Sequence, residues 1–336
     1  ITGVRNCIPI CNGTIALEII IRALDLKHEV IVPSNTFIAT AHALQWQEIT
    51  PVFCDIDPDS YNLDPSKIER MITPRTTGII GVHVWGRPCD IETIAYIAEK
   101  YNLKMVFDAA HAFGCSYNGK MIGNFGDAEV FSFHATKFIS TFEGGAIATN
   151  NDELAQKIRL MKNFGFAGLD NVIYIGTNGK MSEISAAMGI TSLEIMDDII
   201  EVNRRNYNSY YEMLGDIPGI KLMRYDGSER YNYQYIIAEI DEDKTGLTRD
   251  ELVKILHAEN LLVRRYFYPG CHRMEPYRSF FPHADLVLPQ TTKILQNVIS
   301  FPNGKSINKN DIETIYQLLS FIVRNSPEIR SKLQEK

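Results

Sequence analysis

Over the first two hundred positions the apolar residues fall into short blocks of two alternating kinds. TIALEIIIRAL (14–24), TFIATAHALQWQ (36–47) and DIETIAYIAEKYN (90–102) carry them at helical spacing. EVIVPS (29–34), TPVFCDID (50–57), TGIIGVHV (77–84), LKMVFD (103–108) and AEVFSF (128–133) are β-branched and aromatic runs of strand length. Buried strands that alternate with amphipathic helices predict a mainly parallel α/β sheet covered on both faces. Asn12 and Gly13 lead into the first helix, with Thr14 placed to cap it. Asn118-Gly119 in SYNGKMIG signals a tight hairpin, and GGAIATNNDELAQKIRLMKNFG passes from a strand through an Asp-capped start into a helix.

One continuous helical pattern occupies 182–214 and stops at Gly215. Beyond it come an isolated strand in YNYQYIIAEI, a helix in TRDELVKILHAEN, a Pro/His/Tyr-rich loop YFYPGCHRMEPY and a last helix KNDIETIYQLLSFIVRN. This texture predicts a smaller α+β domain, so the expected division is 1–205 and 206–336, with the boundary inside the long helix. No repeat or low-complexity segment interrupts the chain.

Composition narrows the classes. A chain of 336 residues with 45% hydrophobic and 22% charged residues has a globular balance. Its apolar runs end well short of the roughly 18 residues of a membrane span. The formal charge of −7 gives no general attraction to nucleic acid or anionic lipid, so a phosphate-bearing ligand would need a local cradle. Six cysteines, at 7, 11, 54, 89, 115 and 271, show no CxxC or zinc spacing. They read as reduced thiols of a cytoplasmic protein, with no metal site. The chain starts at Ile1 without an initiator methionine or a signal-like segment, and a natural N-terminal stretch is expected to precede it.

Nucleotide and hydrolase signatures are missing: there is no GxxxxGK[ST], no GxGxxG after a strand and no GxSxG. What remains lies at the C-terminal ends of strands, where open α/β sheets bind ligands. Asp108 ends KMVFD, and a carboxylate there needs a cation or hydrogen-bond donors. Ser132 and Lys137 follow the end of AEVFSF, and Gly13 and Thr14 open a helix whose free amides favour an anion. An acid, an amine and a phosphate cradle together point to pyridoxal 5'-phosphate. Each residue alone has an ordinary reading: a solvated lysine, a turn-forming aspartate, a plain helix start. His83 reads as a satisfied buried histidine, Glu143 as a turn former and Trp46 as core; Arg264, Arg265 and His272 read as a surface cluster.

CNGTIALEI, VPSNTFIATAHAL, PVFCDID, VFDAAHAFG, FSFHATK with FEGGAI, and GTNGKMSEISAAMG, in this order, resemble the DegT/StrS nucleotide-sugar aminotransferases. The resemblance runs to about residue 200 and, through YFYPGCH and ISFPNG, more weakly to about 320. It implies the aspartate-aminotransferase fold, type I of the pyridoxal-phosphate enzymes: a large domain built on a seven-stranded, mainly parallel sheet, and a smaller C-terminal domain. It makes Lys137 the lysine that joins the cofactor as an imine and Asp108 the partner of its pyridine nitrogen. Ser132, Gly13 and Thr14 would hold the phosphate, and Phe37 would lie against the ring. His111 stands where many members have glutamine, facing the ring or its hydroxyl. Asn178, in GTN, would reach the phosphate of a partner subunit, which implies a homodimer with shared active sites. Gly179 and Lys180 depart from the family, which commonly has an aromatic residue and an arginine there, and the thirty or so residues before the GT motif are not present.

The implied reaction moves an amino group from L-glutamate to the keto carbon of a nucleotide-linked keto-deoxy sugar. GTNGKMSE and ATAHALQWQ most resemble members that convert dTDP-4-keto-6-deoxyglucose to the 4-amino-4,6-dideoxy sugar. A 3-keto isomer or a UDP sugar is the alternative within this chemistry. A sugar dehydratase of the same fold would carry histidine at Lys137, and a non-catalytic cofactor-binding regulator is the competing reading of another class.

Overall fold

The computed structural model describes residues 1–334. By internal contacts the chain forms two compact units: Ile1–Met196 with Gly227–Asn232 and Gly270–Thr291, and Asp197–Asp226 with Tyr233–Pro269 and Thr292–Lys336.

The first unit is built on seven strands: β1 (Asn6–Ile10), β2 (Glu29–Pro33), β3 (Thr50–Cys54), β4 (Thr76–Val82), β5 (Lys104–Asp108), β6 (Ala128–Ser132) and β7 (Gly145–Thr149). Their order across the sheet is β1-β7-β6-β5-β4-β2-β3. Only β7 runs against its neighbours, pairing antiparallel with both β6 and β1, while the other pairs are parallel. The mainly parallel sheet read from the sequence is therefore present. Strand β1 was not legible: it is short, alternates buried and exposed residues, and contains Pro9, which an edge strand tolerates because its missing N–H faces away from the ladder.

Helix α1 (Gly13–Ala23) lays Ala16, Leu17, Ile19, Ile20, Ile21 and Ala23 into the core. Full burial of each large aliphatic side chain contributes roughly 1.5–3 kcal/mol. The helix starts one residue before Thr14, and its cap is Asn12, whose Oδ1 accepts the Ile15 amide at 2.8 Å. The expected Thr14 cap is thus corrected: only Asn12 has the extended backbone of a cap residue. Helices α2 (Ile38–Gln45), α3 (Ile91–Lys100) and α4 (Asp152–Met161) follow where the pattern placed them. Trp46, expected in the core, is 81% exposed, because it lies past the last buried pair of α2, Ala43 and Leu44.

The single helix expected over 182–214 is two, α5 (Glu183–Glu194) and α6 (Met196–Leu214), broken at Ile195, where the backbone turns to φ −109°, ψ 15°. The second unit packs α6, α7 (Arg249–Ala258) and α8 (Lys309–Arg324) with a three-stranded antiparallel sheet, Ile220–Leu222, Ile236–Ile240 and Val298–Phe301, around a core that includes Tyr210, Leu252 and Leu319. Among the described residues no helix is long and apolar enough to cross a membrane.

Candidate active site

Three sequence-distant pieces meet at the C-terminal ends of the parallel strands. Strand β5 ends in Asp108, β6 ends in Ser132, and α1 begins at Gly13. Gly13 and Ser132 are neighbours: a β-carbon at 13 would lie 3.2 Å from Ser132 Cβ and 3.5 Å from its Oγ. Asn12 takes the amide of Ile15, and the amides of Gly13 and Thr14 precede the intrahelical ladder.

The glycine pair of FEGG has a steric cause here. A β-carbon on Gly145, the first residue of β7, would stand 2.7 Å from the carbonyl carbon of Asn12, 2.8 Å from Phe131 O and 2.9 Å from Asn12 O. All three are backbone atoms, so the turn before α1 and the end of β6 converge only around a residue without a side chain. Gly145→Ala is expected to destabilise the protein by about 1–3 kcal/mol, seen as a lower midpoint in urea unfolding.

Asp108 is buried and doubly hydrogen bonded. Its Oδ2 accepts the Thr40 hydroxyl at 2.8 Å and its Oδ1 the Ala110 amide at 3.1 Å. Burial pushes its proton affinity up, against Thr40, Ala110 and the positive charge of Lys137, which pull it down. Lys137 is half-buried on the loop between β6 and β7, which is pinched shut by Phe133 N to Gly144 O at 2.8 Å and Thr141 N to Phe133 O at 2.9 Å. Burial drives the Lys137 amine down to about 8, with Asp108 opposing the shift. Such an amine is neutral in a useful fraction near pH 7, unlike an exposed lysine.

His111 is buried, and burial first, then Lys137, holds its affinity for a second proton well below the usual range. Its Nδ1 accepts the Trp85 amide at 3.1 Å, so the neutral ring carries its proton on Nε2. Asn232 fixes the backbone on either side, donating to His111 O at 2.8 Å and Phe113 O at 3.0 Å. Lys137 acts electrostatically on both Asp108 and His111, which puts the three within one electrostatic neighbourhood.

Phe37 is 60% exposed just ahead of α2, so its ring is not part of the core. Asn178 is exposed too, in a bridge with Asn163 at some remove in sequence from the other candidates. Beside it Gly179 is buried, and a β-carbon there would come 2.9 Å from Ile19 Cδ1 and 3.2 Å from Ile15 Cγ2 of α1. A larger residue at this position would require the Ile15 and Ile19 side chains to shift. Lys180 instead donates to Asn163 Oδ1 at 3.1 Å and covers the Phe164 ring at 4.8 Å.

Other clusters are structural. His83 is fully buried, accepting the Cys89 amide at Nδ1 and meeting Glu129 Oε1 at 3.2 Å. Ser34, His272 and Asp285 line up at 2.6 and 2.9 Å in the order of a nucleophile, base and acid. Ser34 has no exposed surface, however, so no substrate reaches its hydroxyl.

Residues 1–320 match the DegT/DnrJ/EryC1/StrS aminotransferase family. The chain belongs to that family. Among its relatives is the dTDP-4-amino-4,6-dideoxy-D-glucose transaminase of Shigella dysenteriae, 43% identical over 305 residues, 90% of this chain and 82% of the relative. The Escherichia coli enzyme of the same name is 36% identical over 320 residues, 94% of this chain and 85% of the relative. The crystal structure of DesI in the presence of its TDP-sugar product superposes with a TM-score of 0.95 at 46% identity, covering 99% of this chain and 84% of DesI. The protein is a sugar aminotransferase with the fold of this family, whose members depend on pyridoxal phosphate.

Proposed function

We propose that this family member transfers the amino group of L-glutamate to C4 of dTDP-4-keto-6-deoxyglucose, giving dTDP-4-amino-4,6-dideoxyglucose. The observation that carries this choice of sugar is the likeness to DesI with its TDP-sugar product, supported by the two transaminases named for the same 4-amino sugar.

The residues present fit pyridoxal phosphate. The cradle at Gly13 and Thr14 with the Ser132 hydroxyl suits a phosphate, and a β-carbon at 13 would crowd it. Asp108 suits the pyridine nitrogen, Lys137 the aldehyde, and the Nε2–H of His111 an oxygen acceptor on the ring; Phe37 offers an exposed aromatic face for the ring to lie against. When bound, the cofactor supplies an aldehyde that takes up an amino nitrogen and a ring that withdraws electrons from the carbon losing its proton. Asp108, whose oxygens accept from Thr40 and Ala110, would hold a proton on the ring nitrogen. Lys137 Nζ takes a proton from the α-carbon of the donor amino acid in one half of the reaction and delivers one to C4 of the sugar in the other. An amine near 8 can do both close to neutral pH, because neither protonation state is scarce.

The same proposal includes a homodimer in which Asn178 reaches the phosphate held by the second copy. Helix α5 supports it: of its twelve residues only Gly189 and Ser192 are buried, although Ile184, Ile190 and Leu193 are apolar and exposed by 76%, 63% and 36%. An exposed helix that is apolar around its circumference calls for a partner. Ile190→Glu is expected to convert the dimer to monomers in light-scattering mass measurements and to weaken cofactor retention. A cytoplasmic location fits six cysteines that form no disulfide.

The test is to incubate the holoenzyme with 15N-glutamate and a panel of 3-keto and 4-keto nucleotide sugars. Label at C4 of the dTDP sugar supports the reading; label at C3, or none, overturns it.

A further inference from the structure

Thr40 and Thr36 stand behind Asp108 in an arrangement that reaches past anchoring a loop. Both are buried, at 0% and 1% exposure. The Thr40 hydroxyl has one proton, and at 2.8 Å it is directed to Asp108 Oδ2. The 2.8 Å contact between the two threonine oxygens must therefore be donated by Thr36. The result is a directed chain, Thr36 to Thr40 to Asp108, in which each hydroxyl polarises the next. The loop that carries it is gripped by a segment more than two hundred residues away: Cys271 N donates to Ser34 O at 3.1 Å, His272 N to Ser34 Oγ at 3.0 Å, and Cys271 Sγ to Thr36 O at 3.5 Å.

We propose that Thr40, backed by Thr36, is a positioning residue that sets where the proton rests between Asp108 and the ring nitrogen of the cofactor. The proposal rests on the role given to Asp108 under Proposed function. A carboxylate that accepts hydrogen bonds is the weaker base. With Thr40 on one oxygen and Ala110 on the other, Asp108 competes less well for the shared proton than a bare carboxylate in the same place would, which favours the proton on nitrogen. Burial works the other way, and the charged or titratable groups acting on Asp108 are Lys137 and His83. Without the Thr40 hydroxyl the carboxylate becomes the stronger base, the proton moves toward oxygen, and the ring withdraws electrons less well.

The proposal is tested by loading wild-type, Thr40→Val, Thr40→Ser and Thr36→Val proteins with pyridoxal phosphate labelled with 15N in the ring, and recording the ring-nitrogen NMR shift at one pH. Thr40→Val is expected to move the signal from the protonated toward the unprotonated pyridine position, Thr36→Val to move it the same way by less, and Thr40→Ser to match wild type. Turnover of the Thr40→Val protein should fall roughly fivefold to tenfold, as for the loss of one hydrogen bond, with the KM for sugar little changed. A wild-type shift in Thr40→Val overturns the proposal, as does a Thr40→Ser signal displaced as far as that of Thr40→Val, since shape rather than the hydroxyl would then be responsible. Should Thr40→Val not fold, an unmoved signal in Thr36→Val overturns it equally. A wild-type protein that takes up no cofactor overturns the site reading itself, whereas a loaded wild type with unmoved variants overturns only the role of Thr40.

Discussion

Lys137→Ala is expected to lower turnover by at least about a thousandfold, because it removes a general acid–base worth 10²–10⁴ together with the amine that joins the cofactor. Lys137→Arg should fare no better: a guanidinium keeps the charge but does not release its proton in this pH range. A pH signature accompanies the loss. Burial holds the amine at about 8, so capture of pyridoxal phosphate by the wild-type apoprotein should accelerate as pH rises toward 8 and level off above it. A solvated lysine would go on accelerating past about pH 10. Stopped-flow absorbance across pH 6–10 measures the difference. A rate still climbing at pH 10 would mean that the amine in use is not the one lowered by burial.

Asp108→Asn is expected to reduce turnover by roughly 10²–10³-fold, the scale of removing one member of a buried ion pair, while costing the apoprotein only about 1–3 kcal/mol of stability. The reason is the pattern of donors. Asp108 accepts from a hydroxyl on one oxygen and from an amide on the other. An asparagine can keep its oxygen toward Ala110 and turn its NH2 toward the Thr40 oxygen, so both partners stay in contact and only one hydroxyl proton of the Thr36–Thr40 pair loses its acceptor. What disappears is the negative charge that holds a proton on the ring nitrogen. Steady-state kinetics and urea unfolding on the same preparation separate the effects; a large loss of stability with unchanged turnover per folded molecule would contradict the role given to Asp108.

The parts of this site that could be read in the chain are those whose bland explanation is physically expensive. A carboxylate closing an apolar strand needs partners, which made Asp108 conspicuous, and a lysine shortly after the next strand supplied one. Thr40 and Thr36 gave no such signal, since threonines at a helix start are ordinary caps and their direction toward Asp108 exists only in the folded chain. Asn12 and Thr14 are both able to cap; the choice depends on the approach of Asn12 to Gly145, a contact across more than 130 residues. The break at Ile195 leaves no mark in the sequence because helical spacing continues through it, and β1 leaves none because five residues with a proline resemble a loop. Trp46 misled in the opposite way, an aromatic residue in an apolar helical run that falls just past the buried face.

The most direct check on the catalytic centre is chemical. The holoenzyme is reduced with borohydride, digested and mapped by mass spectrometry. A pyridoxyl adduct on Lys137, absent when glutamate is added before the borohydride, is the expected result. An adduct on another lysine, or none on a protein that has bound the cofactor, would contradict the assignment of Lys137.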